Sequence, residues 1–200
     1  NLMATYIFQK IADEGKAEGL ESGSEEARDW YRDKAQSIRN VNTRRELRNR
    51  ARAYNKMTEL DIGRMYMFFY DPKHKKTLPY YDAFPLIVAV EAAPGGFYGL
   101  NLHYLPNTLR AKFLDALLDT STDKSRSEKA RFSLTYQLLK RSSRMRFFKP
   151  CFKHYLWQHT RSKFAIVHPA DWEIATFLPT AQFKKATTWK VYSDTRKMVG

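Results

Sequence analysis

The sequence lacks any means of holding a fold together other than burial of apolar side chains. Its 200 residues include one cysteine, Cys151, so no internal disulfide can form. No set of Cys and His residues has zinc spacing, and His154 and His159 are five residues apart, which does not place two ligands on one helical face. We therefore expect no metal site. With 43% hydrophobic and 14% aromatic residues, the chain has the composition of a globular domain.

Long hydrophobic runs are also missing. No apolar stretch approaches ~18 residues, the length expected of a membrane-spanning helix. No positively charged start followed by an apolar run resembles a signal peptide. From the sequence alone we expect a soluble, unexported protein with no membrane partner.

The sequence contains few motifs typical of enzymes that hydrolyse nucleotides or nucleic acids. The turn at residues 94–96 is not followed by Lys and Ser or Thr, so it is not a phosphate-binding loop of the kind that hydrolyses nucleotides. Two carboxylate pairs, Asp82 with Glu91 and Asp171 with Glu173, lack the strand lysine of restriction-type nucleases. The sequence therefore gives little support to a metal-dependent nuclease.

One cysteine and two histidines need an interpretation of their own. Cys151 and His154 are three residues apart and could act as nucleophile and base, but a lone cysteine beside proline and phenylalanine is usually a buried residue. His103 is predicted to be a hydrogen-bonded structural residue. We accordingly predict no enzymatic activity, no cofactor and no small-molecule substrate.

Positive charge is abundant and clustered. The chain has 35 Lys and Arg against 21 Asp and Glu, a formal net charge of +14. Residues 28–56 contain ten Lys and Arg with three acids, and residues 140–163 contain eight with none. Clustered cations indicate a polyanionic partner, and a nucleic acid is the first candidate. The predicted nucleic-acid-binding residues are Arg44, Arg45, Arg48, Arg52, Arg141, Arg144, Arg146, Lys149, Lys153, Arg161 and Lys163.

Aromatic residues are interleaved with the second cluster of cations, and two interpretations of them stay open. The rings could stack on exposed bases, as in a channel for single strands. They could equally face the core while the cations face outward, and the two arrangements are compatible. An acidic protein surface competes with nucleic acid as the partner. The rings concerned are Phe147, Phe148, Phe152, Tyr155 and Trp157.

Local patterns predict a mixture of helices and short strands. Ser24 and the acids that follow it predict a capped helix that runs to about residue 38. The remaining predictions are strands at 65–70, 84–90, 97–104 and 164–167, helices at 106–118, 132–139, 150–158 and 169–177, and a polar loop at 119–129. The fold class is therefore α+β: a small antiparallel sheet or an SH3-like barrel, with inserted helices and a basic helical N-terminal arm.

The sequence divides into three predicted parts. Residues 1–62 form a helical arm, acidic at first and then basic, and residues 63–180 form the α+β core. Residues 181–200 form a tail in which apolar side chains are spaced within polar sequence, and this pattern suits docking on another molecule.

Several short blocks between residue 30 and the C-terminus carry a family resemblance. They are residues 70–73, 78–86, 96–106, 147–151 and 172–179, and the most specific pieces are Asn-Leu-His-Tyr-Leu-Pro and Phe-Lys-Pro-Cys. These blocks resemble the DNA end protector family of T-even-type contractile-tailed phages. The resemblance implies a non-catalytic virion protein, made in the host cytoplasm, that binds the ends of linear genomic DNA and shields them from host exonuclease. Its partners would be DNA ends and other virion proteins.

A structural role is the second hypothesis. In that case the chain is a subunit of the phage tail, neck or baseplate, and its basic arms bind acidic neighbouring subunits. If DNA is the partner, we expect specificity for an end rather than for a sequence, because no segment resembles a major-groove recognition helix.

Overall fold

A computed structural model describes residues 7–21, 24–38, 60–121, 127–144 and 148–200 of the chain. The helices are α1 (Ile7–Ala17), α2 (Glu25–Ser37), α3 (Asn107–Ser121), α4 (Glu128–Arg144), α5 (Trp172–Phe177) and α6 (Thr188–Val199). The strands are β1 (Met65–Met67), β2 (Tyr81–Asp82), β3 (Leu86–Ala93), β4 (Gly96–Asn101), β5 (Phe152–Leu156), β6 (Ala165–Val167) and β7 (Phe183–Lys184). The predicted α+β class is confirmed.

Five strands form one antiparallel sheet in the order β5-β4-β3-β1-β6. Within the described residues β5 and β6 each have one neighbour, so the sheet is open. The small antiparallel sheet is therefore the correct alternative, and the SH3-like barrel is wrong. Strands β2 and β7 form a separate antiparallel pair in which Tyr81 lies opposite Lys184.

The turn at residues 94–96 joins β3 to β4 in an antiparallel hairpin. Gly95 has a φ of +69°, a left-handed conformation that glycine adopts without steric cost. At Gly96, an added Cβ would lie 1.7 Å from the carbonyl oxygen of Tyr155. Glycine at this position therefore lets β5 approach β4 and extend the sheet.

Apolar side chains cover both faces of the sheet. Alternate residues of β1 point to opposite faces, so Met65 joins the larger core beneath the helices while Tyr66 joins an aromatic cluster on the other face. Phe68 and Tyr155 in that cluster meet edge to face, with ring centroids 5.3 Å apart. The sheet is thus the central layer, with packing on each side.

Two local predictions need correction. Residues 150–158 are not a helix: a 3-10 turn (Lys149–Cys151) leads into β5, and a second turn (Trp157–His159) follows. Pairing with β4 from Gly96 to Leu100 decides the conformation of this segment. The predicted loop at 119–129 begins too early and ends too late, because α3 continues to Ser121 and α4 begins at Glu128.

The terminal helices pack on this core. Ser24 caps α2 as predicted, since its hydroxyl accepts a hydrogen bond from the backbone N–H of Ala27 at 3.1 Å, and α2 packs against α5. In α6 the Val191 side chain is fully buried in the chain's own core, whereas Trp189 is 73% exposed. No helix in the described segments is long and apolar enough to cross a membrane.

Candidate nucleic-acid interface

A basic loop and a basic segment that are far apart in sequence lie side by side. The loop is residues 71–78, and the segment is residues 157–163, which follows β5. The backbone N–H of Asp71 donates to the carbonyl of His159 at 3.0 Å, and the Nδ1 of His159 donates to the carbonyl of Asp71 at 2.9 Å. The guanidinium of Arg161 lies 3.9 Å from the Asp71 carboxylate. These contacts join the two pieces of chain.

The basic side chains of these two pieces are exposed, and we call them the basic surface. Its members are Lys73, His74, Lys75, Lys76, Arg161 and Lys163. Asp71 pairs with Lys75 at 2.8 Å and more distantly with Arg161. Among the ion pairs of the described residues, none involves Lys73, Lys76 or Lys163. Positive charge that internal carboxylates leave unneutralised attracts an external polyanion.

Lys185 holds the loop in place. Its Nζ donates hydrogen bonds to the carbonyls of Lys75, Lys76 and Leu78 at 2.9, 3.1 and 2.6 Å. Lys185 itself has a φ of +69°, which is uncommon for a residue other than glycine. Because one ammonium binds three carbonyls of the loop, it fixes the conformation of the loop backbone that carries the exposed lysines.

A cavity of about 420 Å³ lies beside the basic surface. Its lining includes Lys153 of β5 together with Lys73 and His74 of the loop. This volume falls within the ~300–1,000 Å³ typical of pockets for small ligands. The tyrosines that line the cavity are Tyr70, Tyr80, Tyr81, Tyr104 and Tyr155. The lining therefore combines cations with flat aromatic rings.

Lys153 differs from the cations of the basic surface because it is half-buried. Its Nζ lies 4.1 Å from the centroid of the Tyr104 ring, a cation–π contact. No carboxylate or carbonyl in the described parts of the chain pairs with this ammonium. Burial lowers the pKa of Lys153 below its ordinary value. An anion that entered the cavity would supply the missing charge-assisted partner.

Asp82, which lines the cavity, belongs to a buried polar network. The Nδ1 of His103 donates to the Oδ2 of Asp82 at 2.6 Å, and the hydroxyl of Thr180 donates to the Nε2 of His103 at 2.8 Å. The side-chain amide of Asn101 also donates to Oδ2 of Asp82, at 3.0 Å. Burial lowers the pKa of His103 below its usual value, which favours the neutral ring. Although burial opposes ionisation, the interactions with His103 and Asn101 hold the pKa of Asp82 below its usual value.

This network is structural despite its resemblance to a nucleophilic triad. Asp82, His103 and Thr180 have the carboxylate, imidazole and hydroxyl order of such a triad, but they are 3%, 0% and 5% exposed. A substrate therefore has no access to the hydroxyl. Both ring nitrogens of His103 are hydrogen-bonded, in agreement with its predicted structural role. In the residues that the structure describes, no group of three His, Cys, Asp or Glu is placed to hold a metal ion.

The predicted nucleic-acid-binding residues lie in different parts of the chain, and some lie outside the described residues. Arg44, Arg45, Arg48, Arg52 and Arg146 lie outside the described residues. Arg141 is exposed on α4, Arg144 is the last residue of that helix, and Lys149 is exposed in the turn before β5.

The structure brings three of the predicted cations together with a loop that the prediction omitted. Lys153 lines the cavity, and Arg161 and Lys163 belong to the basic surface beside it. The omitted loop carries four consecutive basic residues, 73–76, between two prolines. This run of basic residues is the sequence feature from which the loop could have been predicted as part of the interface.

Most of the aromatic rings near the second cluster pack inside the fold. Tyr155 is 4% exposed, and Phe148 and Phe152 pack against the main core, whereas Trp157 is 43% exposed. Cys151 is fully buried, and its thiol donates to the carbonyl of Phe148 at 3.0 Å. Burial raises the pKa of Cys151 to about 12, so the thiol is not a ready nucleophile.

Two arginines of the first basic stretch bind internal carboxylates. Arg32 is 8% exposed. Its Nε and Nη2 donate to the two oxygens of Glu173 at 2.6 and 3.0 Å, and Nη2 also donates to Asp115 at 2.6 Å. Arg28 lies 3.4 Å from the same Asp115 carboxylate. Arg32 therefore ties α2 to α3 and α5 and does not contribute to an external binding surface.

Comparisons with known proteins identify the family. The model of the family described as Phage T4 terminal DNA protecting protein matches residues 6–198. No curated protein matches the chain, and no solved structure matches it. The family match spans the helices, the sheet, the basic surface and the cavity alike, and it agrees with the resemblance carried by the short sequence blocks. The chain belongs to the phage T4 terminal DNA protecting protein family.

Proposed function

We propose that this protein binds the ends of linear phage DNA and shields them from exonuclease without catalysing a reaction. The observation that carries the proposal is the basic surface: exposed cations, largely unpaired with carboxylates of the described chain, beside a cavity lined by tyrosines. Because the chain belongs to a terminal DNA protecting family, we favour DNA as the anion that binds the basic surface. An acidic protein surface is the competing partner.

Binding is electrostatic and independent of sequence. Lys and Arg side chains contact backbone phosphates, which position a protein on DNA but carry no base information. If each of the five Lys and Arg of the basic surface neutralises one phosphate, affinity falls with salt at a log-log slope of roughly −4.5. The half-exposed ring of Trp157 offers a stacking platform for a frayed base nearby.

Protection follows from occupancy. A protein seated on the terminus denies an exonuclease the strand end on which it acts, and no bond needs to be made or broken. We further propose that the protein is carried in the virion and contacts other virion proteins there. The ring of Trp189, 73% exposed on α6, is suited to such a contact.

A band-shift titration tests the proposal. The protein is titrated against a blunt linear DNA and against the same DNA circularised, each at two salt concentrations. We expect tighter binding to the linear form, and longer survival of that form in an exonuclease digestion. Equal binding to the two forms, or no binding to either, would overturn the proposal and favour a tail, neck or baseplate subunit with acidic neighbours.

Matched variants locate the interface. Changing Lys73, Lys76 and Lys163 together to Gln removes three charges from the basic surface. The control changes Lys10, Lys16 and Lys112, which are exposed on α1 and α3, in the same way. The first variant should shrink the magnitude of the salt slope by about 3, and the control should leave it unchanged. Equal effects of the two variants would show that net charge, rather than this surface, governs binding.

A further inference from the structure

We propose that the cavity beside the basic surface holds the phosphorylated terminal nucleotide of a DNA strand, with Lys153 as the counter-charge of the terminal phosphate. The inference rests on the proposed function and deepens it. Contacts of the basic surface with backbone phosphates do not distinguish the end of a strand from its interior. The cavity supplies a reason for preferring the end.

The size of the cavity limits its occupant. A volume of about 420 Å³ accommodates a ligand of the size of one nucleotide. A nucleotide inside a duplex is stacked and paired, and extruding it costs a few kcal/mol, with the least cost for a base that is already unpaired. The last nucleotide of a strand has one stacking neighbour fewer, so it is the one that enters most easily.

The charge of Lys153 favours a terminal phosphate over an internal one. A phosphomonoester carries about −1.5 to −2 charges at pH 7, whereas each internal phosphate carries one. The Lys153 ammonium is held over the Tyr104 ring at 4.1 Å and has no anionic partner in the described chain. Lys73 lines the same cavity and adds a second positive charge. A dianionic terminus gains most from this arrangement.

One carboxylate also lines the cavity, and its hydrogen bonds already satisfy it. The Oδ1 of Asp82 accepts from the backbone N–H groups of Phe84 and Gln182, each at 3.0 Å. Its Oδ2 accepts from the side chains of Asn101 and His103. Four donors therefore occupy the two oxygens of Asp82, and this carboxylate does not pair with the Lys153 ammonium in the described chain.

The rings would hold the base without selecting it. Tyr80 and Tyr81 are half-buried in the wall, and the Tyr80 ring lies 6.3 Å from that of Tyr104 with an interplanar angle of 32°. Stacking on tyrosine tolerates any base, because every base has a π-face. The site is thus expected to read the presence of a terminus and its phosphate, not its sequence.

The test uses DNA hairpins with a single blunt end, labelled in the loop, and measures affinity by fluorescence anisotropy. One hairpin has a 5′-phosphate, one a 3′-phosphate and one only hydroxyl termini, and a closed dumbbell has no end. We expect the full chain to bind one phosphorylated hairpin at least about tenfold more tightly than the hydroxyl hairpin. K153Q should abolish this ratio. The control K163Q should weaken binding to every DNA and keep the ratio.

A second measurement is independent of end binding. Calorimetric titration with a deoxynucleoside 5′-monophosphate, compared with the nucleoside, reports on the cavity alone, and binding should require Lys153. Thermal unfolding checks that K153Q is folded. If it is not, the variant K73Q in the cavity lining takes its place, and we expect it to reduce the ratio for phosphorylated ends.

The outcomes separate the two proposals. Equal affinity for phosphorylated and hydroxyl hairpins, with weaker binding to the dumbbell, overturns the cavity assignment and leaves end binding standing. Equal affinity for hairpins and dumbbell overturns end binding. In that event the monophosphate titration decides the cavity: binding that is lost in K153Q supports a terminal-phosphate site, and absence of binding rejects it.

Discussion

Replacing Arg32 with methionine tests whether this arginine stabilises the fold, in contrast to the exposed cations. Methionine preserves an unbranched apolar stem but removes the guanidinium. In the native protein that group makes two hydrogen bonds to Glu173, at 2.6 and 3.0 Å, and one to Asp115, at 2.6 Å. The substitution leaves Glu173, which is 5% exposed, without its cationic partner.

The expected cost is large because the pair is buried. Removing one partner of a buried ion pair costs about 3–5 kcal/mol, mostly through the uncompensated charge left behind. The side chain of Asp115 is 45% exposed, so its share is at most ~1 kcal/mol of that total. Against an overall stability of roughly 5–15 kcal/mol, Arg32→Met should lower Tm by about 10 °C or more.

The cost should also depend on pH. Burial raises the pKa of Glu173 above its usual value, and the hydrogen bond and charge of Arg32 oppose that rise. Without Arg32 the folded-state pKa rises further, while the unfolded value stays near 4.5. The folded variant then binds the proton more tightly than the unfolded chain, so it gains stability as pH falls through the folded-state pKa. The deficit relative to the wild type is therefore smaller at pH 5 than at pH 7.5.

Urea unfolding followed by tryptophan fluorescence at the two pH values measures both effects. Arg161→Met serves as the exposed control and should change stability by less than about 0.5 kcal/mol. Adding Glu173→Gln to Arg32→Met should recover part of the loss at pH 7.5, because the buried charge is gone. A deficit that is below ~1 kcal/mol, or that is the same at both pH values, would refute the assignment of Arg32 as the partner of a buried Glu173.

The buried network and the cysteine each give a further prediction. Because burial lowers the pKa of His103, the unfolded chain binds the proton more readily, so the contribution of His103 to stability should be lost as pH falls below its ordinary pKa of about 6.5. An unfolding midpoint that His103→Gln leaves equally pH-dependent would contradict this. Cys151, with its raised pKa and no exposure, should react with an aromatic disulfide reagent only as fast as the protein opens. Prompt labelling of the native chain would show an accessible thiolate.

Sequence patterns predicted the elements whose conformation is set by near neighbours. The predicted cap at Ser24 begins α2, the predicted turn at residues 94–96 joins β3 to β4, and the helix predicted at 106–118 is α3. The prediction was wrong at β5, where a segment that opens with a proline, residues 150–158, was predicted to be a helix. Its strand conformation comes from pairing with β4, some 50 residues earlier in the chain, and no local signal reports such a pairing.

The candidate site was less predictable, because charge clustered in sequence is not charge clustered in space. Arg32 and Lys163 count equally in a sum over the chain, yet one is buried against Glu173 and the other is exposed. The basic surface joins the loop at 73–76 to Arg161 and Lys163 through the pairing of Asp71 with His159. The cavity draws its lining from several separate segments, so composition alone could not have indicated it.

Protection of DNA ends requires a preference for the end over the interior of the DNA, and positive charge alone does not provide it. Affinity from counterion release is the same at every position along a duplex, and each internal position competes with the two ends. Occupancy of an end depends on the ratio of the affinity for the end to the affinity for an internal position, and on the number of internal positions that compete. A longer DNA therefore requires a stronger preference for its terminus. We propose that the cavity with Lys153 distinguishes the two. Changes on the basic surface should therefore weaken binding everywhere, whereas Lys153→Gln should redistribute the protein from the ends to the interior of the same DNA.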